Sequence, residues 1–253
     1  MLIFVQHLYS FFNMANQTFI NFFVNVFQAD VKNVTSYLNM LDTMFKGTGL
    51  TLSIFILTLL FAIPLALPIS MGRMSKNKFL SKLTNLFLLI IRGTPLMLQL
   101  LIVYFVPKFI SIRLFDVTIS WPSFAAAIVA FSINYASYFA EIYRGGIESI
   151  PKGQYEAAKV LGYKSKQTFF RIILPQVVKR ITPAMGNEVI TLVKDTSLVT
   201  IISIQELMFY AKNSSNRMVS FAPLLIAGVF YFVMNWGVSF IFRKLEKKLS
   251  YYN

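Results

Sequence analysis

The stretch "EAAKVLGYKSKQTFFRIILP", residues 156–175, is polar and basic, with Lys159, Lys164, Lys166 and Arg171 along its length. It also carries Ala157-Ala158, Gly162 and a closing Leu174-Pro175. Residues 149–175 read as two short helices. Pro151 suits a first turn, where its missing N–H costs nothing. The run to Leu161 is made of helix formers, and Gly162 stops it where a positive φ is needed. Ser165 is placed to cap a second helix that reaches Ile-Ile-Leu before Pro175. The small residues Ala157 and Ala158 leave a low patch that another protein surface can approach. The alternative is an amphipathic loop lying on the inner leaflet, which its lysines also favour.

Around this stretch the chain is apolar. Of 253 residues 56% are hydrophobic and 16% aromatic, against 13% charged, a balance that points to lipid rather than water as the main solvent. Cysteine is absent and His7 is the lone histidine, so disulfides, thiol-ligated metals and histidine pairs are excluded. Residues 1–27 lack the basic start and small-residue cleavage site of a signal peptide. The net charge of +14 would suit nucleic acid, but 13 of those charges fall in three blocks, residues 72–82, 144–180 and 243 onward. Basic blocks set between apolar runs are the positive-inside pattern and place those blocks in the cytoplasm. The basicity encodes topology, not nucleic-acid binding.

Charge-free intervals between Lys46 and Arg73, Asp116 and Glu141, and Arg217 and Arg243 each exceed the ~20 residues that cross a bilayer. Residues 83–107 form another run, broken only by Arg92. A fifth span, residues 181–204, contains Glu188, Lys194 and Asp195 and escapes a hydropathy window. Parity demands it, because the blocks on either side of it are both cytoplasmic. The expectation is an all-α integral membrane protein with five spans, its N-terminus outside and its C-terminus in the cytoplasm. Pro64 and Pro68 fall inside the first span, and Trp121-Pro122 suits an interfacial helix start. Residues 2–28 place Gln6, Asn13, Gln17, Asn21, Asn25 and Gln28 on one helical face. That fits a helix in the outer interface or a sixth span with its amides packed inward.

Chemistry-bearing residues are few. No G-x-x-x-x-G-K-[ST] occurs, and Lys46-Gly47-Thr48-Gly49 is a helix entry rather than a nucleotide loop. Ionisable groups within a span are functional candidates by default, since each costs ~2.5 kcal/mol or more to insert. Asn187, Glu188, Thr191, Lys194 and Asp195 share one arc of their helix, able to line a path for a zwitterion or to bridge one another. Arg92 suits a carboxylate, or caps carbonyls freed by the adjacent Gly-Thr-Pro. Gln99, on nearly the same face, and Asn134 with Tyr138 either orient a substrate or join helices.

Glu156, Ala157, Ala158, Gly162, Ile172, Leu174 and Pro175 together resemble the EAA loop of membrane subunits in binding-protein-dependent ABC importers. The likeness spans roughly residues 45–250. Arg92-Gly93-Thr94-Pro95, Tyr138–Gly146 with Ile150–Gln154, and Gly186-Asn187-Glu188 with Lys194–Leu198 resemble the polar amino-acid (histidine/glutamine) permeases. The resemblance implies a non-catalytic five-span permease, divided as residues 1–44, an N-terminal extension, and 45–253, the permease domain. It implies that the loop docks on a separate cytoplasmic ATPase dimer, which binds ATP-Mg while this chain holds no cofactor. It further implies a second permease subunit, identical or paralogous, an extracytoplasmic amino-acid-binding protein, and location in a bacterial cytoplasmic membrane. Because related permeases move different side chains, Lys194 and Asp195 then serve structure or a shared backbone feature. An ion-coupled secondary transporter using Glu188 and Asp195 is the competing reading. A scaffold that uses the loop only for docking is a third.

Overall fold

A computed structural model describes residues 34–118 and 122–250, all of them helical or in connections between helices. The first helix, α1 (Val34–Arg73), continues through Pro64 and Pro68. It also passes through positions 44 and 45 without a break, and Met40 and Met44 are buried against Leu207, Ala211 and Ala227. Residues 34–44 are therefore continuous with the helix that follows. Residues 2–28, and Trp121, lie outside the described residues.

Helix α1 buries one seam: Thr51, Ile54, Thr58, Ala62, Ala66 and Ser70. Four-residue spacing keeps these on one face. That seam meets α4 (Ser123–Glu148), which buries Ala126, Ala127, Ala130, Ala136 and Ala140. In lipid no hydrophobic force drives helices together, so small residues that let backbones approach are what hold such a pair. Phe131, Tyr135 and Phe139 fill the rest of this core.

The expected single span 83–107 is two helices, α2 (Lys78–Gly93) and α3 (Leu96–Phe115), broken at Thr94-Pro95. Pro95 has no N–H to give the preceding turn. Gln99, not Arg92, answers the freed carbonyls. Its Nε2 donates to the carbonyls of Ile91 at 2.6 Å and Thr94 at 3.0 Å. Among the described residues four helices are long and apolar enough to cross a membrane: α1 from Tyr37, α3, α4 and a last helix, α9 (Ala222–Leu249).

The charged segment also forms a long helix. After α5 (Lys152–Val160), a short α6 (Ser165–Thr168) enters a π-helical turn (Phe169–Ile173) and continues as α7 (Leu174–Asp195). Helix α7 packs on α1, α4 and α9. Its 22 residues reach about 33 Å, enough to span, although its charges hide it from hydropathy. A 3-10 segment (Thr196–Ile202) then turns at Ser203, φ 61°, toward α8 (Leu207–Met218). Helix α8 packs between α1 and α9.

Candidate functional site

Helix α5 ends in a Schellman turn. Gly162 has φ +77°, the Tyr163 N–H donates to the Ala158 carbonyl at 3.0 Å, and the Gly162 N–H to that of Lys159 at 3.0 Å. Both bonds satisfy carbonyls that a helix end otherwise leaves bare. The cap of the following helix is Lys164, not Ser165: its N–H donates to the Gln167 Oε1 at 2.9 Å, and Ser165 is the first helical residue. Nor does that helix stop at Pro175. The Leu174 N–H reaches back five residues to Phe169, and this wider turn admits the proline ring.

The two alanines part company. Ala157 is exposed, whereas Ala158 is buried inside the loop and offers no surface. The exposed apolar groups are instead Val160 at 87%, Leu161 at 73% and Phe170 at 62%, beside an exposed Glu156. Underneath, Ile150, Ile173 and Val177 form a small core with Ile147, Phe169, Ile172 and Ile181. Leu174 and Pro175, which open α7, are half-buried. Arg180 donates to the Ser149 carbonyl, and Gln176 to the Gln154 side chain. At Gly146 an added Cβ would lie 2.2 Å from Ile181 Cγ2, so α4 and α7 touch there. The loop is thus tied to the end of α4 and the start of α7 at once.

The polar arc of α7 divides in two. Asn187, Thr191 and Lys194 are exposed, while Glu188 and Asp195 are half-buried. Asp195 accepts a 2.7 Å hydrogen bond from the Tyr135 hydroxyl. Lys194 forms no ion pair with Glu188 or Asp195 among the described residues. Gln99 and Asn134 are buried and joined by a 2.9 Å bond, sealing the break in α2–α3 rather than facing an opening. Tyr138 lies under the Arg92 guanidinium, 5.2 Å from it. Of the six candidates, Glu188 and Lys194 are the ones whose side chains are not committed to another described side chain by a hydrogen bond or ring contact.

Two further clusters had no sequence signal. Glu206, 0% exposed, caps α8 by accepting from the Phe209 N–H at 2.9 Å, and also accepts from Tyr231 at 2.9 Å and Thr51 at 3.2 Å. It joins α1, α8 and α9 at one point. Nearby, Ser197, Thr200, Phe209, Lys212 and Asn213 line an open cleft of about 400 Å³. The second cluster gathers Arg73, Arg92 and Arg144 around Glu141.

Among the described residues no group of His, Asp and Glu is placed to hold a metal. The arginine transport system permease protein ArtQ of Bacillus subtilis is 35% identical over 207 residues, covering 81% of this chain and 91% of ArtQ. The L-cystine transport system permease protein TcyB of the same organism is 34% identical over 208 residues, covering 81% and 86%. A crystal structure of an amino acid ABC transporter with histidines superposes with a TM-score of 0.74 at 31% identity, covering 85% of this chain and 97% of that one. Residues 62–251 match the model of the binding-protein-dependent transport system inner membrane component, and the chain belongs to that family.

Proposed function

We infer that this chain is a membrane-spanning permease subunit of an ATP-driven amino-acid importer. It is not itself the enzyme; ATP hydrolysis belongs to a separate subunit, and substrate reaches the permease from a binding protein. The ion-coupled reading of Glu188 and Asp195 finds no support, since the family is a binding-protein-dependent transport component and Asp195 is bonded to Tyr135.

The observation that carries the mechanism is the exposed EAA loop, anchored to two spans at once. In this reading Glu156, Ala157, Val160, Leu161 and Phe170 meet a groove on a cytoplasmic ATPase dimer that holds ATP-Mg. Ala158, Gly162, Ile172, Leu174 and Pro175 keep the loop in shape. A push on α5 then moves the C-terminal end of α4 and the N-terminal end of α7 together. Helix α7 carries Asn187, Glu188, Thr191 and Lys194, so the push shifts the polar face on which substrate travels. Such a face is costly against lipid, and it is covered here by a second permease subunit, identical or paralogous. Glu188 supports the α-amino group of the substrate, while Asp195, Gln99, Asn134 and Tyr138 hold the helices around it. The arginine and cystine systems among the relatives make α-amino acids the substrate class. In this reading the N-terminus is outside and the C-terminus in the cytoplasm, the orientation that the basic blocks favour.

Reconstitution tests this. With its ATPase, partner permease and binding protein in proteoliposomes, uptake of a labelled amino acid should require ATP and persist with ionophores. A reporter after Asn253 should read the ATPase side. Uptake driven by a proton or sodium gradient without ATP would overturn the assignment.

A further inference from the structure

Glu141 sits among three guanidinium groups, but it does not satisfy them equally. Arg144 takes its hydrogen bonds, the shortest at 2.9 Å, and also pairs with Glu148. Arg73 and Arg92 approach only to 3.7 Å, beyond hydrogen-bonding distance. Among the described residues neither Arg73 nor Arg92 donates a hydrogen bond to any acceptor, and the Nε of Arg73 is buried without a partner. Both side chains are partly open, at 30% and 42% exposure. They border a cleft of about 270 Å³ completed by Asn85, Leu88, Leu89, Gly93 and Glu141. Asn85, Leu89 and Arg92 recur at helical spacing, so α2 turns one face toward this cleft.

A guanidinium is a planar fork of donors that cannot be neutralised, and it matches two oxygens of a carboxylate or phosphate. Two such forks, each near one carboxylate but hydrogen-bonded to no oxygen among the described residues, leave donors for oxygens from outside the chain. We propose that Arg73 and Arg92, with Asn85, form an oxyanion-binding site in this cleft. Two sources offer that chemistry: the carboxylate of an amino acid in transit, and the phosphate of an anionic lipid. The carboxylate source rests on the importer reading. The site itself does not.

Phenylglyoxal, which modifies free arginine side chains, reads the site directly in the whole permease–ATPase complex held in nanodiscs. Arg92 and Arg73 adducts are followed by mass spectrometry, with Arg144 as the internal reference. In phosphatidylcholine nanodiscs, acetate at ~10 times its Kd should slow Arg92 modification about tenfold by mass action and leave Arg144 unchanged. Slowing in phosphatidylglycerol nanodiscs without acetate supports the same site and names lipid phosphate as its source. Arg73→Gln should weaken protection of Arg92 in whichever arm shows it, while Arg73→Lys restores part of it. If neither acetate nor phosphatidylglycerol changes the Arg92 rate relative to Arg144, there is no oxyanion site. That result leaves ATP-driven uptake untouched, so the two proposals fail separately.

Discussion

Gly162→Val is a substitution whose cost can be worked from one position. Gly162 stands at φ +77°, and a Cβ built there meets nothing within 4 Å. No clash is added, so the whole penalty lies in the backbone. A left-handed conformation costs an L-residue ~1–2 kcal/mol, and a β-branched residue sits at the upper end. An energy of that size changes a population ratio about 5–30-fold. If α5 docks only in its Schellman-capped form, and that form does not outweigh uncapped ones to begin with, the apparent affinity for the ATPase should fall by about that factor. The spans do not depend on this turn and should insert and fold as before. The assay is titration of fluorescently labelled ATPase onto the permease in nanodiscs, beside thermal unfolding of the permease alone. Gly162→Ala should give the lower part of the range. Gly153→Ala, also in open space but without a positive φ, should bind as the unaltered protein does. ATPase affinity within twofold of normal for Gly162→Val would refute the reasoning, because the capped geometry would then be irrelevant to docking.

Glu206→Ala should destabilise the permease by several kcal/mol, since the Phe209 N–H and Tyr231 hydroxyl lose their shared acceptor at ~1–3 kcal/mol each; thermal unfolding in detergent measures it, and Glu206→Gln should recover much of the loss. Gly146→Val forces a Cβ to within 2.2 Å of Ile181 and should cost ~1–3 kcal/mol by overpacking, with Ile181→Ala as the compensating change seen in the same melt. Glu188→Gln should reduce uptake in proteoliposomes without lowering subunit assembly, and equal loss of both would make Glu188 a brace rather than a path residue.

The apolar runs were legible because α1 and α9 bury one small-residue face and leave the rest exposed, while α4 is buried on most of its sides. Helix α7 was legible only through parity: Lys179, Arg180, Glu188, Lys194 and Asp195 cancel its hydropathy, yet two basic blocks need an even number of crossings between them. Gly-Thr-Pro signals an irregularity in residues 83–107, but neither the full break into two helices nor the group that answers it. Arg92 is nearer in sequence; Gln99 has the amide donor one turn beyond the break, where it can reach back. Helix α8 left no mark, because its polar sequence is held by a single buried carboxylate whose partners lie 155 and 25 residues away. In the loop, the spacing of Gly162 predicted its φ, as backbone conformation is local. Which of Ala157 and Ala158 faces outward depends on the phase of α5 against Ile150 and Ile173, and that phase is tertiary.

The π-helical turn at Phe169–Ile173 amounts to one residue inserted into an otherwise continuous helix. Each residue advances a helix by about 100°, so the insertion acts as a clock offset between its two ends. On one side is the exposed loop; on the other is the face carrying Glu188. Deleting a single residue from the turn would restore ordinary pitch and leave both ends folded, yet point them about a quarter-turn out of step. The angular relation between the loop and the polar face is therefore set by one residue, whose omission no hydropathy profile would detect.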